Sequence, residues 1–167
     1  MDVILVRHAE AGTRDPNTWP NDEERPLTAE GRKKETAAAR AMKKMEIGFD
    51  FLVTSPLVRA RQTAEILAAV YGWQEEPLVS DALGPSCTAA ALVKLLAKFP
   101  PDARVCLVGH EPSLSGAAAA LTGRSGDARI ELKKGGVIGI GFEGAAAVGE
   151  GTLRFLLKPG HLKKVGR

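Results

Sequence analysis

MDVILVRHAE, residues 1–10, is the most informative stretch of this chain for its fold. Val3–Val6 is a continuous apolar run rich in β-branched side chains, which is typical of a strand buried on both faces. Charged and titratable side chains follow at once, with Arg7 and His8. In an open α/β sheet, ligands bind beyond the carboxyl ends of the strands. The stretch therefore predicts an α/β fold with a functional site directly after the first strand.

The rest of the chain alternates between strand and helix patterns. Further strands are predicted at Phe51–Thr54, Leu78–Val79 and Arg104–Val108. Helices are predicted from Thr28 through about Glu46, from the Ser55-Pro56 pair to Tyr71, over Thr88–Phe99 and over Pro112–Leu121. Three strand-like segments separated by glycine turns predict antiparallel hairpins near the C-terminus: Arg129–Leu132, Val137–Phe142 and Thr152–Leu157.

These elements predict one three-layer α/β domain, with a mixed, mostly parallel central sheet flanked by helices. We assign residues 1–158 to this domain and residues 159–167 to a basic C-terminal tail, which we expect to be solvated or frayed. A length of 167 residues suits one compact domain. A content of 44% hydrophobic and 26% charged residues excludes a disordered or collagen-like chain.

Charge and cysteine content narrow the class of function. A formal net charge of +3 favours an anionic ligand but is too small to indicate nucleic acid. The two cysteines form no CxxC pair and no disulfide framework, so we expect a cytoplasmic protein. The N-terminal apolar run spans four residues after Asp2, which is too short for a signal peptide or a membrane span.

Chemically versatile side chains follow three of the predicted strands. Arg7 and His8 follow the first, Ser55-Pro56 leads from the second to Arg59, and His110 follows the third. If these strands are neighbours, the side chains converge at one edge of the sheet. Arginine forks match phosphate oxygens, and a neutral imidazole can act as a nucleophile. The cluster therefore predicts a phosphoryl-binding or phosphoryl-transfer site.

Other interpretations of these residues are weaker. A lone histidine at a strand end is usually structural, and a lone helix arginine is usually solvated, so the prediction depends on their joint placement. His8, Glu10 and His110 do not have the spacing of a metal motif, and the neighbouring arginines would repel a cation. Gly139–Gly144 matches GxGxxG, but no helix pattern follows it. We therefore expect neither a metal nor a cofactor.

Four segments of the chain resemble, in the same order, segments of the histidine phosphatase superfamily, also called the phosphoglycerate mutase-like superfamily. They are VRHAE (Val6–Glu10), RPLTAEG (Arg25–Gly31), SPLVRARQTAE (Ser55–Glu65) and VGHEP (Val108–Pro112). The short chain and the RHAE form are most similar to the small SixA-type phosphohistidine phosphatases. One segment alone would be a weak signal, but four in order are specific.

The resemblance implies a role for each of four catalytic residues. His8 would be the nucleophile and would become transiently phosphorylated. Arg7, Arg59 and His110 would bind the phosphoryl group, the arginines by clamping its oxygens and His110 as a charged imidazolium that donates a hydrogen bond. This implies a metal-independent phosphatase.

The resemblance also separates these residues from nearby arginines. Arg59 is the matching residue because it stands four positions after Ser55. Arg61 lies about 200° from it around a helix and is expected to be peripheral. Arg25 has two open roles, one at the pocket rim and one in a structural ion pair.

Two departures from the family pattern bear on the substrate. Ala9 stands where glycine is commonest, and Ala82 stands where many relatives place a glutamate as general acid, with Asp81 beside it. Without that acid, an alkoxide leaving group has no proton donor, whereas a protonated imidazole leaves readily. The sequence therefore favours a phosphohistidine substrate.

We accordingly predict a cytoplasmic, monomeric phosphohistidine phosphatase in signal transduction. Its partner would be a phosphorylated protein, for which a histidine phosphotransfer domain is one candidate, and we expect no nucleic acid and no membrane partner. Two alternatives stay open at this point. One is a small-molecule phosphomonoesterase of the same superfamily, and the other is a non-catalytic phosphate-binding module.

Overall fold

A computed structural model of the protein describes residues 1–123 and 128–165. Its strands are β1 (Asp2–Arg7), β2 (Phe51–Thr54), β3 (Leu78–Val79), β4 (Arg104–Gly109), β5 (Val137–Gly141) and β6 (Thr152–Leu157). Its α-helices are α1 (Ala29–Lys44), α2 (Val58–Tyr71), α3 (Ala89–Leu96), α4 (Ser113–Thr122) and α5 (Pro159–Val165). Single 3-10 turns lie at Asp22–Glu24 and Asp81–Leu83. The alternation confirms the predicted α/β class.

The strands form one mixed sheet in the order β3-β2-β4-β1-β5-β6. The first four strands in that order are parallel, whereas β5 and β6 are antiparallel additions. Arg7 pairs with Gly109, and Thr54 pairs with Val108. The chain therefore leaves β1, β2 and β4 at the same edge of the sheet, as the sequence analysis requires for a shared site.

Helices cover both faces of the sheet because the side chains of the parallel strands are apolar on both faces. Val3 and Leu5 pack on the side of α3 and α4, whereas Ile4 and Val6 pack on the side of α1, α2 and α5. The predicted three-layer arrangement is confirmed. None of the helices in the described part of the chain is long and apolar enough to cross a membrane.

Helix α1 begins where predicted and ends slightly earlier. The Thr28 hydroxyl caps its first turn by accepting a hydrogen bond from the Gly31 amide at 2.9 Å. A Cβ at Gly31 would overlap the carbonyl oxygen of Glu10, so glycine is required for α1 to approach the loop after β1. The helix ends at Lys44, before the left-handed residue Glu46 (φ 58°), rather than continuing through Glu46.

Helix α2 begins at Val58, two residues later than the Ser55-Pro56 pair predicts. The Ser55 hydroxyl lies 2.8 Å from Nε2 of His110 and accepts only a 3.3 Å bond from the Leu57 amide. Ser55 therefore contacts His110 at the end of β2 and does not cap α2. The far end agrees with the prediction, since α2 ends at Tyr71 and is followed by left-handed Gly72.

The predicted strand at Arg129–Leu132 is wrong, because this segment contains no strand. Its last residue, Leu132, is buried, and its carbonyl oxygen accepts a 2.8 Å bond from Nη1 of Arg7. The segment therefore contacts a guanidinium instead of another strand. The antiparallel pair formed by β5 and β6 is present as predicted.

The expectation of a frayed C-terminal end is wrong for residues 159–165, which form α5. Leu162 is fully buried beside α1 and the sheet, although Lys163 and Lys164 are exposed. The Lys44 side chain of α1 also donates to the Val165 carbonyl at 3.3 Å, so α5 packs on α1 through an apolar and a polar contact. Residues 166 and 167 lie outside the described residues, and the domain boundary at residue 158 stays a prediction.

Candidate active site

The four residues singled out from the sequence lie together at the carboxyl edge of the sheet. The ring centroids of His8 and His110 are 5.1 Å apart, with the rings tilted by 55°. The positive charges of Arg59 and Arg7 are near enough to lower the pKa of His8. The His8 amide donates to the Gly109 carbonyl at 3.0 Å, which ties the end of β1 to the end of β4.

His8 has the geometry of a neutral nucleophile. It is 8% exposed, and its Nδ1 lies 2.7 Å from the carbonyl oxygen of Ala9. Because a carbonyl only accepts, Nδ1 must carry the ring proton, and the lone pair is then on Nε2. Burial first, and then the charges of Arg59 and Arg7 together with repulsion from His110 when that ring is protonated, lower the pKa of His8 to about 3. The ring is therefore neutral at pH 7.

His110 is neutral in the free protein as well. It is 3% exposed, and burial together with the charge of Arg59 lowers its pKa to about 4. The imidazolium that the family resemblance implies concerns His110 beside a bound phosphoryl group, so it stays a prediction, and the free protein holds the ring neutral chiefly because it is buried. Its Nε2 bonds to Ser55, whereas its Nδ1 is buried and has no hydrogen-bond partner among the described residues.

The two arginines are held by backbone carbonyls. Arg7 donates from Nη1 to Leu132, and Arg59 donates from Nη1 to the carbonyl of Asp22, each at 2.8 Å. Burial lowers the pKa of both guanidinium groups. The Nε atoms of Arg7 and Arg59 are buried without a partner in the described residues. Buried donors of this kind suit an oxyanion, which accepts strong charge-assisted bonds.

Asp22 links Arg25 to Arg59 of the candidate active site, and the sequence analysis did not predict this role. Its carboxylate lies 2.8 Å from Nε of Arg25 and 3.2 Å from Nη2 of Arg59. Arg25 also donates from Nη1 to the carbonyl of Gly12 at 2.6 Å. The hydrogen bond from Arg25 is the main cause that lowers the pKa of Asp22. Of the two roles left open for Arg25, the structure therefore shows the ion pair.

Thr63 is a second residue that the sequence analysis missed. Its buried hydroxyl donates to the Arg59 carbonyl at 2.8 Å and accepts from the Ala9 amide at 3.0 Å. It therefore joins α2 to the residue after His8. The signal that could have found Thr63 is its position one helical turn after Arg59 within SPLVRARQTAE. Arg61, on the same helix, is exposed and lies outside the cluster of four site residues, as expected.

The carboxylates near the site differ in position and contacts, and the charge of Glu111 is near enough to Arg7 to raise the pKa of that guanidinium. Asp81 is exposed in its 3-10 turn and makes no hydrogen bond or ion pair to the four site residues. Asp22 is ion-paired with two arginines and its pKa is lowered. The Glu111 carboxylate accepts a 2.8 Å bond from the Ser115 amide at the start of α4. Ala82, the position at which the family resemblance implies a glutamate, packs against the core.

Sequence comparison identifies the family. The model of the histidine phosphatase superfamily (branch 1) matches residues 3–83. An uncharacterized protein of Picosynechococcus sp. is 37% identical over 143 residues, which are 84% of this chain and 84% of that protein. The chain belongs to the histidine phosphatase superfamily. This confirms the family that the four motif segments indicated.

Comparison with solved structures shows the same fold in other superfamily members. The protein histidine phosphatase SixA, solved in complex with tungstate, superposes with a TM-score of 0.81 at 23% identity, over 98% of this chain and 100% of that chain. A putative phosphohistidine phosphatase SixA from Nakamurella multipartitia superposes with a TM-score of 0.76 at 25% identity, over 95% of each chain. This superfamily member therefore has the size and fold of the SixA structures.

Proposed function

We propose that this protein is a phosphohistidine phosphatase, which removes a phosphoryl group from a histidine of another protein. The observation that carries the proposal is a neutral His8 with a free Nε2 near two arginines, with Ala82 at the position where the family resemblance implies a general acid and with Asp22 ion-paired to arginine. A phosphate ester would need that acid to protonate its alkoxide, whereas a protonated imidazole departs without one. The similarity to the protein histidine phosphatase SixA supports the same substrate class.

In the first step, the lone pair on Nε2 of His8 attacks the phosphorus atom of the substrate. The bond between phosphorus and the substrate imidazole breaks, and its electron pair stays on the leaving nitrogen. Because the other nitrogen of that ring carries a proton, the imidazole departs neutral. Arg7 and Arg59 stabilise the negative charge on the phosphoryl oxygens during transfer.

In the second step, water attacks the phosphorus atom of phosphorylated His8. The bond from phosphorus to Nε2 breaks, its electron pair returns to the ring, and phosphate leaves with the oxygen of the water. A phosphoryl dianion beside His110 raises the pKa of that ring, because the negative charge favours the protonated form. His110 then donates a hydrogen bond to the transferring group.

The positive charge in this mechanism comes from Arg7 and Arg59, so the proposed reaction needs no metal and no cofactor. The decisive experiment compares kcat/KM for a panel of histidine-phosphorylated proteins and for phosphate monoesters, with a chelator present. We expect faster turnover of the phosphohistidine proteins. Faster monoester turnover would instead identify a small-molecule phosphomonoesterase, and failure to trap a phosphoryl group on His8 would contradict the covalent mechanism.

A further inference from the structure

A cavity of about 600 Å³ lies beside Arg7, between α1, the turn at residues 133–135 and the start of α5. We call it the lysine cavity, because five lysines line it, namely Lys33, Lys34, Lys133, Lys134 and Lys163. Its volume is in the range of ligand-binding pockets, roughly 300–1,000 Å³. No step of the proposed reaction uses it.

Three of these lysines have unpaired charges. Lys34 pairs with Glu10 at 2.8 Å, and Lys133 pairs with Glu131 at 2.6 Å. The other three, Lys33, Lys134 and Lys163, are exposed and make no ion pair within residues 1–123 and 128–165. Glu10 and Glu30 also line the cavity, and the charge of Lys134 helps to lower the pKa of Glu10. Five lysines and Arg7 against these two carboxylates still leave the rim with an excess of positive charge, which attracts anions.

The turn at residues 133–135, which carries two of the lysines, is hydrogen-bonded to the end of β1 at Arg7. The Gly135 amide donates to the carbonyl of Arg7 at 3.1 Å, and the Leu132 carbonyl accepts from the Arg7 side chain. Gly135 has a φ of +69°, a conformation that favours glycine. Lys133 and Lys134 therefore stand in a fixed relation to an arginine of the candidate active site.

A buried carboxyl group, that of Glu35, lines the same cavity. It is 1% exposed, and neither of its oxygens has a hydrogen-bond partner within the described residues. Burial raises the pKa of Glu35 to about 8, so the group is mostly protonated at pH 7. In that form it does not cancel the charge of the lysines, and its O–H can donate. Unpartnered buried polar groups are rare, and this one indicates that a ligand supplies the acceptor.

We propose that the lysine cavity receives an acidic side chain of the phosphoprotein substrate, beside its phosphohistidine. The inference rests on the proposed function. A carboxylate of the substrate would meet the unpaired lysines at the rim and the Glu35 O–H within, while its phosphoryl group reaches His8. A small phosphoramidate, which has no such carboxylate, would use only the candidate active site.

The experiment compares two doubly charge-reversed variants. Lys134→Glu/Lys163→Glu changes the lysine cavity, whereas Lys94→Glu/Lys98→Glu makes the same charge change at exposed positions in or just after α3, in the opposite helix layer. The substrates are a histidine-phosphorylated phosphotransfer domain and phosphoramidate. For the cavity variant we expect KM on the protein to rise about tenfold at low salt, with kcat and phosphoramidate turnover unchanged.

Each other result would overturn a stated part of this reasoning. An equal rise in KM for the control variant would show that net charge alone is responsible, and unchanged KM for the cavity variant would show that no docking occurs there. An equal loss on phosphoramidate would place the effect at the active site. If the wild-type protein hydrolyses monoesters but not the phosphoprotein, the proposed function fails and the docking proposal fails with it. If it hydrolyses the phosphoprotein and the two variants behave alike, only the docking proposal fails.

Discussion

The two regions that meet at Arg7 use charge in opposite ways. At the candidate active site, His8, Arg59 and His110 are buried and oriented by named hydrogen-bond partners. At the lysine cavity, Lys134 and Lys163 are exposed. Buried groups depend on exact partners and have shifted pKa values, whereas exposed charges act through their number and sign and are screened by salt. Substitutions in the two regions should therefore differ in size and in what they change.

The largest expected effect is at His8. His8→Ala removes the nucleophile, so turnover should fall on the order of 10⁴-fold or more. Steady-state kinetics and mass spectrometry of the acid-labile phosphoryl adduct measure the two consequences. His161→Ala, at an exposed histidine in α5, is the control and should behave like the wild-type protein. Substantial turnover by His8→Ala would contradict the mechanism.

The second largest effect is expected at Arg59, where a conservative substitution tests whether charge alone is sufficient at a buried site. Arg59→Lys keeps the charge but loses the planar fork, so kcat/KM should fall about 100-fold. Arg61→Lys changes an exposed arginine on the same helix and should leave kcat/KM within a factor of about two of wild type. Similar kinetics for the two variants would show that the local charge, not the geometry, is what the site requires.

A third prediction concerns Glu35, the buried group at the exposed lysine cavity. Its folded pKa of about 8 lies above the ordinary 4.5, so the folded protein retains a proton that the unfolded chain releases between these values. The free energy of unfolding of the wild type should therefore fall as pH rises through this window. Gln cannot ionise, so the free energy of unfolding of Glu35→Gln should lack this fall. Its difference from the wild-type value should therefore grow by about 2 kcal/mol in favour of the variant between pH 6 and pH 7.5.

Urea unfolding at the two pH values measures this difference. Glu30→Gln makes the same substitution at an exposed position of the same helix and serves as the matched control. Parallel profiles for Glu35→Gln and wild type would mean that Glu35 is ionised in the folded protein at neutral pH.

The smallest predicted effect is at Asp22, whose carboxylate contacts Arg59. Asp22→Asn removes a negative charge that competes with a phosphoryl group for this arginine, so inorganic phosphate should inhibit about threefold more strongly at low salt. Glu23→Gln, at the neighbouring exposed carboxylate, should leave inhibition unchanged. Weaker inhibition in Asp22→Asn would mean that Asp22 chiefly positions Arg59.

Residues that follow strands were easy to place from the sequence, and residues that reach the site from distant loops were not. His8 and His110 stand directly after apolar runs, so parallel pairing of those runs brings them together. Asp22 reaches Arg59 from a polar loop 37 residues earlier, and nothing in its neighbours indicates that contact. The Ser55-Pro56 pattern predicts a helix cap at Ser55, yet the hydroxyl of this residue lies 2.8 Å from Nε2 of His110.

In the C-terminal third, whole segments differ from the sequence prediction because of contacts with residues distant in the chain. The alternating residues before Leu132 fit a strand, yet the backbone there binds the Arg7 guanidinium, 125 residues away in the chain. The Lys158–Arg167 run looks solvated by composition, yet Leu162 anchors α5 against the domain. In both cases contacts with distant parts of the chain outweigh the local pattern.

Local sequence determined the fold class and the family, and it predicted that Arg7, His8, Arg59 and His110 lie together, because apolar periodicity and residue order are properties of neighbouring residues along the chain. Tertiary structure alone decided that both imidazoles are neutral, that Asp22 holds Arg59 and that Glu35 lies unpartnered at a lysine-lined cavity. Burial and electrostatic fields arise from segments far apart in sequence, and they exist only when the packed sheet and helices bring those segments together.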